Sequence, residues 1–468
     1  MKFEKQMKKH IDEVLEENVP NPYSKKKPAF PHWLKIAIPT TTGVLAASIA
    51  LAVAIPYIGM NKETINKAPD VSSSSKEGSK GDITPSYVYE PKAAAPKQSS
   101  IPQLDTNIVK RTATKSLANL EYCFAKAKNT NMVISPASFL LAASGFTSVS
   151  EGFDLDAFGL VDAQEDVKAL LDNWNSYYVN NNDNKIDCQI DSGVLHQQVG
   201  PTFQFDRNKI SEIEDAYIGV GAAPLNGYVK QAEDYFKEKV GLTIPVPDLD
   251  LQSDGVITYG AISLLDRSIK EFPKQKNDFV INGTTVSVDT GLFGVNKSGQ
   301  GISTKYYECD TYETFILNIN VTSLLIVLPK EGVSIDSVSI SEAYTNGVSA
   351  KTSKDVYGYV PFFHLQTFGL DVAEGFTSHL TGQEKYYSKL VVDELKDHVD
   401  LELRAIQNSD FCFNEYGVAG QSITAMGGSS SIGTKLPTQI NVNRPFYAIS
   451  LKDNFPLFVN KVNDPRQN

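Results

Sequence analysis

Seventeen consecutive residues, Val418 to Thr434, carry no charge and no proline, and both ends of the run are anchored. Ahead of it an alternating apolar stretch through Phe411 and Phe413 ends in Glu415-Tyr416-Gly417. Behind it come Asn443-Arg444-Pro445-Phe446 and a closing strand pattern. A neutral run of small residues is ordinarily a linker; tethered at both ends, it is a loop. Gly420, Ser422 and Thr424 fall on one face of an extended chain and Gln421 and Ile423 on the other, while Val418 is β-branched. The same segment is therefore also suited to lie as a strand inside a sheet.

The 468 residues leave ample length for a large core, and more than one domain fits within them. A net charge of -11 and a pI near 5.2 leave no basic stripe to neutralise phosphates, which excludes a nucleic-acid partner. Cys123, Cys188, Cys309 and Cys412 are scattered, with no spacing that suits a metal. They read as small buried side chains; two disulfides, in any of three pairings, are the alternative. No H-E-x-x-H or G-x-S-x-G occurs, and Gly219-Val220-Gly221 lacks the third glycine of a dinucleotide loop. His196, His364, His379 and His398 are expected to be structural or surface residues. We expect no enzyme, no catalytic residue, no metal and no cofactor.

The N-terminal part divides by composition. Residues 1–35 are polar and lysine-rich, and no charge occurs from Ile36 to Ile58, with Trp33 and Tyr57 at the two ends of that span. At about 1.5 Å per residue the span crosses a ~30 Å hydrocarbon core. A transmembrane signal-anchor helix over 36–58 is expected, with 1–35 cytoplasmic and the C-terminal part extracellular, since Lys25-Lys26-Lys27 and Lys35 precede it. A cleaved signal peptide ending at Ala52-Val53-Ala54 is the competing expectation. Residues 59–103, rich in Ser, Pro and Lys, read as a disordered stalk. Ser73-Ser74-Ser75-Lys76 matches an S-x-x-K motif but lies in this stalk and carries no catalytic meaning.

From residue 104 to 468 the pattern is that of one mixed domain. Helices are expected over Ile108–Ala127, from Ser135-Pro136 through Ala143, and over Leu225–Val240, closed by Gly241. Strands are expected over Val256–Leu265, Thr285–Val295, Thr314–Asn320, Leu324–Leu328, Tyr357–Gln366, Glu402–Ile406, Phe411–Phe413, Phe446–Leu451 and Leu457–Val462. Helices first and strands later argue for an α+β fold with antiparallel sheets.

The order of six motifs over this domain resembles the serpin family. Asn131-Met132-Val133-Ile134-Ser135-Pro136-Ala137-Ser138 resembles the family's start of the second helix, and Ser323-Leu324-Leu325-Ile326-Val327-Leu328-Pro329 its strand ending in L-P. Val360-Pro361-Phe362-Phe363 with Gly369-Leu370-Asp371-Val372, the hinge Asn414-Glu415-Tyr416-Gly417, Asn443-Arg444-Pro445-Phe446 and the closing Phe455 to Pro465 segment follow in the family's order. The resemblance implies three β-sheets, about nine helices, and a reactive centre loop displayed as bait. It implies a suicide inhibitor of serine, or sometimes cysteine, proteases: the protease forms an acyl-enzyme on the loop, and the freed hinge inserts into the central sheet as a new strand.

Carried over onto this sequence, the hinge is Glu415, Gly417, Val418, Ala419, Gly420, Gln421 and Ser422, and the shutter under the opening of the sheet is Ser135, Ser138 and Gln407. Counting forward from Gly417 puts the scissile residue at Ser431; counting back from Pro445 puts it at Thr434, beside Lys435. Small residues there favour an elastase- or subtilisin-like target protease. The sequence departs from the family in having Ser268 where a Trp is usual, Gly260 and Gln407 where an Asn and a His are usual, and Val418 to Ile423 in place of the usual threonine and alanine run. A non-inhibitory binding or structural module of the same fold is the alternative expectation.

Overall fold

The computed structural model describes residues 106–149, 154–175, 178–180, 186–200, 216–268, 272–294, 301–377, 404–420 and 438–466, all within one compact unit, Pro85–Asn468. The expected span 36–58, its flank 1–35 and the stalk 59–103 lie outside these residues. Among the described residues no helix is long and apolar enough to cross a membrane.

Six α-helices are described, with two single 3-10 turns, where about nine helices were expected. They are α1 (Thr106–Lys126), α2 (Pro136–Val149), α3 (Ala163–Trp174), α4 (Tyr228–Lys239), α5 (Ile340–Ser349) and α6 (Ala373–Thr377). Asp162 caps α3 by accepting from Gln164 N and Glu165 N, and Ser339 caps α5 through Glu342 N, so the first amides of both helices are satisfied. Proline at the first position of α2 and Gly241 at φ +67 just past α4 bound those helices as their sequences predict.

The strands are β1 (Met132–Ile134), β2 (Tyr178–Asn180), β3 (Ile186–Val199), β4 (Ile218–Ala223), β5 (Gly255–Arg267), β6 (Lys274–Ile281), β7 (Thr284–Phe293), β8 (Ile302–Glu308), β9 (Tyr312–Asn318), β10 (Ser323–Pro329), β11 (Ser353–Pro361), β12 (Phe363–Asp371), β13 (Ile406–Asn414), β14 (Gly417–Gly420), β15 (Thr438–Asn441), β16 (Phe446–Lys452) and β17 (Phe455–Val462). Ten of them form one array in the order β1-β17-β16-β10-β9-β8-β11-β7-β6, with β15 on β11. It has two limbs joined at β8, which pairs with β9 on one side and β11 on the other. The other seven form a second sheet, β12-β13-β14-β5-β3-β2, with β4 on β3.

Two expected strands need correction. Tyr357–Gln366 is two strands in different sheets: the chain breaks at Phe362, whose N–H is taken by Asp289 O at 2.9 Å, so β11 and β12 diverge. Of the expected strand Glu402–Ile406, residues 402 and 403 lie outside the described residues, and Ile406 is the first residue of β13. Arg404 and Ala405 precede it without regular structure; Ala405 O accepts from Val372 N at 2.8 Å, and the Arg404 side chain donates to backbone carbonyls at Leu249 and Asp250.

The main core fills the space between the two sheets and the helices α1, α2, α3 and α5, with Trp174, Phe411, Phe413, Phe446 and Phe455 all buried. A second core lies on the opposite face of the seven-stranded sheet, where α4 and the segment after it cover Leu195, Ile257, Tyr259 and Ala261. The seven-stranded sheet is therefore covered on both faces, and its centre is where the predicted site residues meet.

Candidate functional site

β13 turns through Glu415 and Tyr416 into β14, a tight hairpin pairing Cys412 with Ala419, Phe413 with Val418 and Asn414 with Gly417. Asn414 Oδ1 accepts from Tyr416 N at 2.9 Å and fixes the turn. Gly417 has φ +127, and a Cβ there would stand 2.3 Å from Asp266 O, so only glycine closes this turn against β5.

On its other edge β14 pairs antiparallel with β5: Gly417 with Arg267, Val418 with Asp266, Ala419 with Leu265 and Gly420 with Leu264. β5 and β13 thus run in the same direction with an antiparallel strand between them. Neighbouring strands lie about 4.8 Å apart, so the two stand roughly 10 Å apart there. Beyond Gly420 no described backbone pairing joins β5 to β13, although β5 pairs with β3 along almost its whole length. Among the described residues, its edge from Gly255 to Ser263 and the facing edge of β13 from Ile406 to Asp410 bound a slot with no strand between them.

Aromatic packing and hydrogen bonds close the hinge end of the slot. Ser268 N donates to Tyr416 O and Phe272 N to Glu415 O, both at 2.8 Å, tying the end of β5 to the turn. Phe272 and Phe362 each pack edge-on against Phe413, at 5.5 Å between ring centres. This cluster stands where the sequence lacks the expected tryptophan. Asp266, 1% exposed, accepts from Thr322 N at 3.0 Å and Thr322 Oγ1 at 2.6 Å, which joins β5 to the β9–β10 turn.

Under the slot the structure brings Ser135, Ser138 and Gln407 together. Gln407 Oε1 accepts from Ser135 N at 2.8 Å and its Nε2 donates to Ser135 O at 2.9 Å, a two-way bond from β13 to the start of α2. Ser135 Oγ donates to Leu457 O and Ser138 Oγ to Gly260 O, each at 2.8 Å. Sequence alone does not show why residue 260 is glycine. Here α2 comes so close that a Cβ would lie 2.4 Å from Ala142 N and 2.7 Å from Leu141 Cβ. Ser138 thus bonds the β5 backbone directly, with no side chain from β5 between.

Of the predicted hinge, Glu415 is half-buried, Gly417 and Val418 are buried, and the backbone of Ala419 and Gly420 is paired. Gln421, Ser422 and both scissile candidates, Ser431 and Thr434, lie outside the described residues.

Cys123, Cys309 and Cys412 are free thiols, so four cysteines do not form two disulfides. Cys412 sits on β13 beside the hinge, and burial pushes its thiol up to about 12, which keeps it protonated. His196 is fully buried against Thr258 Oγ1 at 3.0 Å, and burial drives it down to about 3. His364 bonds Asp410 at 2.8 Å on the half-exposed face of β12 and β13. His379 and His398 lie outside the described residues. Among the described residues no cluster of His, Cys, Asp or Glu is arranged to hold a metal.

No family profile matches the chain, and no curated protein matches it in sequence. Solved structures do match in three dimensions. Human thyroxine-binding globulin, in complex with its ligand, superposes with a TM-score of 0.59 at 16% identity, over 77% of this chain and 100% of that one. The thermophilic serpin tengpin in its native state gives 0.58 at 17% identity over 81% and 100%. Serpin48 of the insect Tenebrio molitor gives 0.56 at 17% over 78% and 99%. With β14 paired between β5 and β13 in a sheet covered on both faces, and with these solved structures matched over 99–100% of their own length, the domain has the serpin fold.

Proposed function

We propose that the domain is a protease inhibitor whose loop, once cut, inserts between β5 and β13. The observation that carries this is β14: its first residues already lie as an antiparallel strand between two strands that show no other pairing among the described residues. Continued in the register already set, Ser422 comes opposite Ile262 and Ser409, and Thr424 opposite Gly260 and Gln407. Val418, Leu264, Ile262, Phe411, Ser409 and Gln407 are buried residues of the core-facing side, and the loop brings only small or hydroxyl side chains to it. Elastase- or subtilisin-like serine proteases are the proposed partners, with cleavage at Ser431 favoured over Thr434. The domain is held at the outer face of a cell by residues 36–58.

Incubation with a panel of elastase-, subtilisin- and trypsin-like proteases, read on a denaturing gel, tests the reading through a covalent complex. Clean cleavage of the loop should raise the melting temperature sharply, because the inserted strand pairs on both edges. Gly420→Arg or Ser422→Arg should abolish that rise by forcing a charge under the sheet. Protease shaving of intact cells should release the domain; its protection would refute the topology.

The alternative, a non-inhibitory binding module, draws on a half-open cavity of about 250 Å³ between α1, α5 and β16, lined by Phe124, Tyr447 and Ile340 beside Glu121 and Asp336. An unchanged melting temperature after clean cleavage would favour it.

A further inference from the structure

Asparagine is followed by glycine at three places in the chain, 226–227, 282–283 and 346–347. In such a pair the glycine nitrogen has open access to the carbonyl carbon of the asparagine side chain, because no Cβ shields it. The fold treats the three pairs differently.

Asn346 and Gly347 lie inside α5. Asn346 Nδ2 donates to Tyr312 Oη at 2.9 Å, Gly347 is buried, and a Cβ on it would stand 2.7 Å from Leu325 Cδ1. Asn226 is exposed, but the Gly227 N–H donates to Pro224 O at 2.9 Å and Gly227 is the N-cap of α4. Its nitrogen is engaged, and its conformation is set by the helix that it starts.

Asn282 and Gly283 form the two-residue turn between β6 and β7, with φ +47 and +79, the mirror-image turn that joins tight hairpins. Both are exposed, and nothing lies within 4 Å of where a Gly283 Cβ would be. Among the described residues no hydrogen bond engages the Gly283 N–H or the Asn282 side chain. Nucleophile and electrophile are adjacent, uncommitted and at the tip of a hairpin with room to rearrange.

We propose that Asn282 is a self-modification site. The Gly283 nitrogen bonds to Asn282 Cγ and gives its proton to water, and the side-chain nitrogen leaves as ammonia, which closes a cyclic imide. Water then opens the ring at either carbonyl, to aspartate or to isoaspartate, with no change of oxidation state. The isoaspartyl product routes the main chain through Cβ and leaves a free α-carboxylate at the turn. A carboxyl methyltransferase that uses S-adenosylmethionine is the class of enzyme that would act on it.

The added methylene enters a turn whose geometry matches the twist of the strands. β6 and β7 are in register from Ile281↔Thr284 to Lys274↔Gly291. Val280, in the second pair from the turn, donates its N–H to Asn443 O at 2.8 Å, just past β15. Modification at Asn282 therefore loosens a bond that holds the segment behind the neutral loop. This inference does not depend on the inhibitor reading.

The test incubates the full-length protein, native and in urea, at mildly alkaline pH. The three pairs are followed by peptide mass and by methyl transfer from S-adenosylmethionine with an isoaspartyl methyltransferase. In the native protein Asn282 should convert on the order of fivefold faster than Asn226, since Gly227 must first give up a hydrogen bond. Asn346 should stay an amide over the same period, because α5 has to open first. In urea the three rates should converge. Equal native rates at 226 and 282, or a native ranking that persists unchanged in urea, would overturn the proposal. Deuterium exchange reads the consequence: the isoaspartyl fraction should lose protection at 279–281 and 284–286. Asn282→Asp, which has the charge without the methylene, should keep the parental pattern. Parental exchange in the isoaspartyl fraction, or the same loss in Asn282→Asp, would overturn the link to the register of the hairpin.

Discussion

Val418→Glu probes the seam between hinge and sheet. Val418 is 1% exposed and pairs with Asp266 on one strand and Phe413 on the other, each also 1% exposed. Losing a buried valine costs about 1.5–3 kcal/mol. The new carboxylate would stand about 5 Å from that of Asp266, as residues directly opposite in a sheet do. At an effective dielectric near 20 that repulsion adds about 3 kcal/mol. The penalty, about 5 kcal/mol together, is escapable: the hinge has only to leave the sheet and let water replace three pairings with β13 and four with β5. The expected result is withdrawal of β14 without unfolding of the domain. Deuterium exchange should show protection lost at 417–420 and at the facing residues 264–267 and 412–414, while exchange in β16 and β17 stays at the parental rate. On the proposed inhibitor mechanism, in which insertion starts from this seam, cleavage of the loop should no longer raise the melting temperature. A variant that keeps its protection there, or gains stability normally after cleavage, would show that Val418 does not seat the hinge.

Three further predictions concern the frame around the slot. His196 is neutral in the fold because burial drives it down to about 3, so its contribution is complete above pH 6.5 and lost as pH falls toward 3. By pH 5 the loss is about 2 kcal/mol relative to pH 7, and denaturant unfolding of His196→Gln should show a correspondingly flatter pH dependence; an identical slope would refute it. Lys461 is completely buried and donates to Phe124 O, Ala127 O and Asp336, capping the C-terminal end of α1. Lys461→Met should destabilise the domain by about 3–5 kcal/mol, measured as a shifted denaturation midpoint. Gly260→Ala forces a methyl into the α2 backbone and should cost about 1–3 kcal/mol, with Ser138 losing its bond to residue 260; an unchanged midpoint would mean that α2 shifts freely.

The sequence by itself determined what local chemistry controls. The alternation through Phe411 and Phe413 is read straight off the chain, and so are the caps of α2 and α4. Each depends on residues a few positions apart. It did not reveal β3, because Ser192, His196, Gln197 and Gln198 make that stretch look polar. Those side chains are buried only because distant groups accept or supply their bonds, as Tyr228 O and Gln231 do for Gln197. Nor did it show that Tyr357–Gln366 divides between two sheets, since the bond that turns Phe362 away comes from Asp289. Lys461 reads as a surface residue until α1 lends its carbonyls. Which strands flank β14 was decided only in three dimensions. β5 and β13 come from segments about 150 residues apart, and strand pairing over that separation is set by registry and packing of the whole sheet, which no local window of sequence contains.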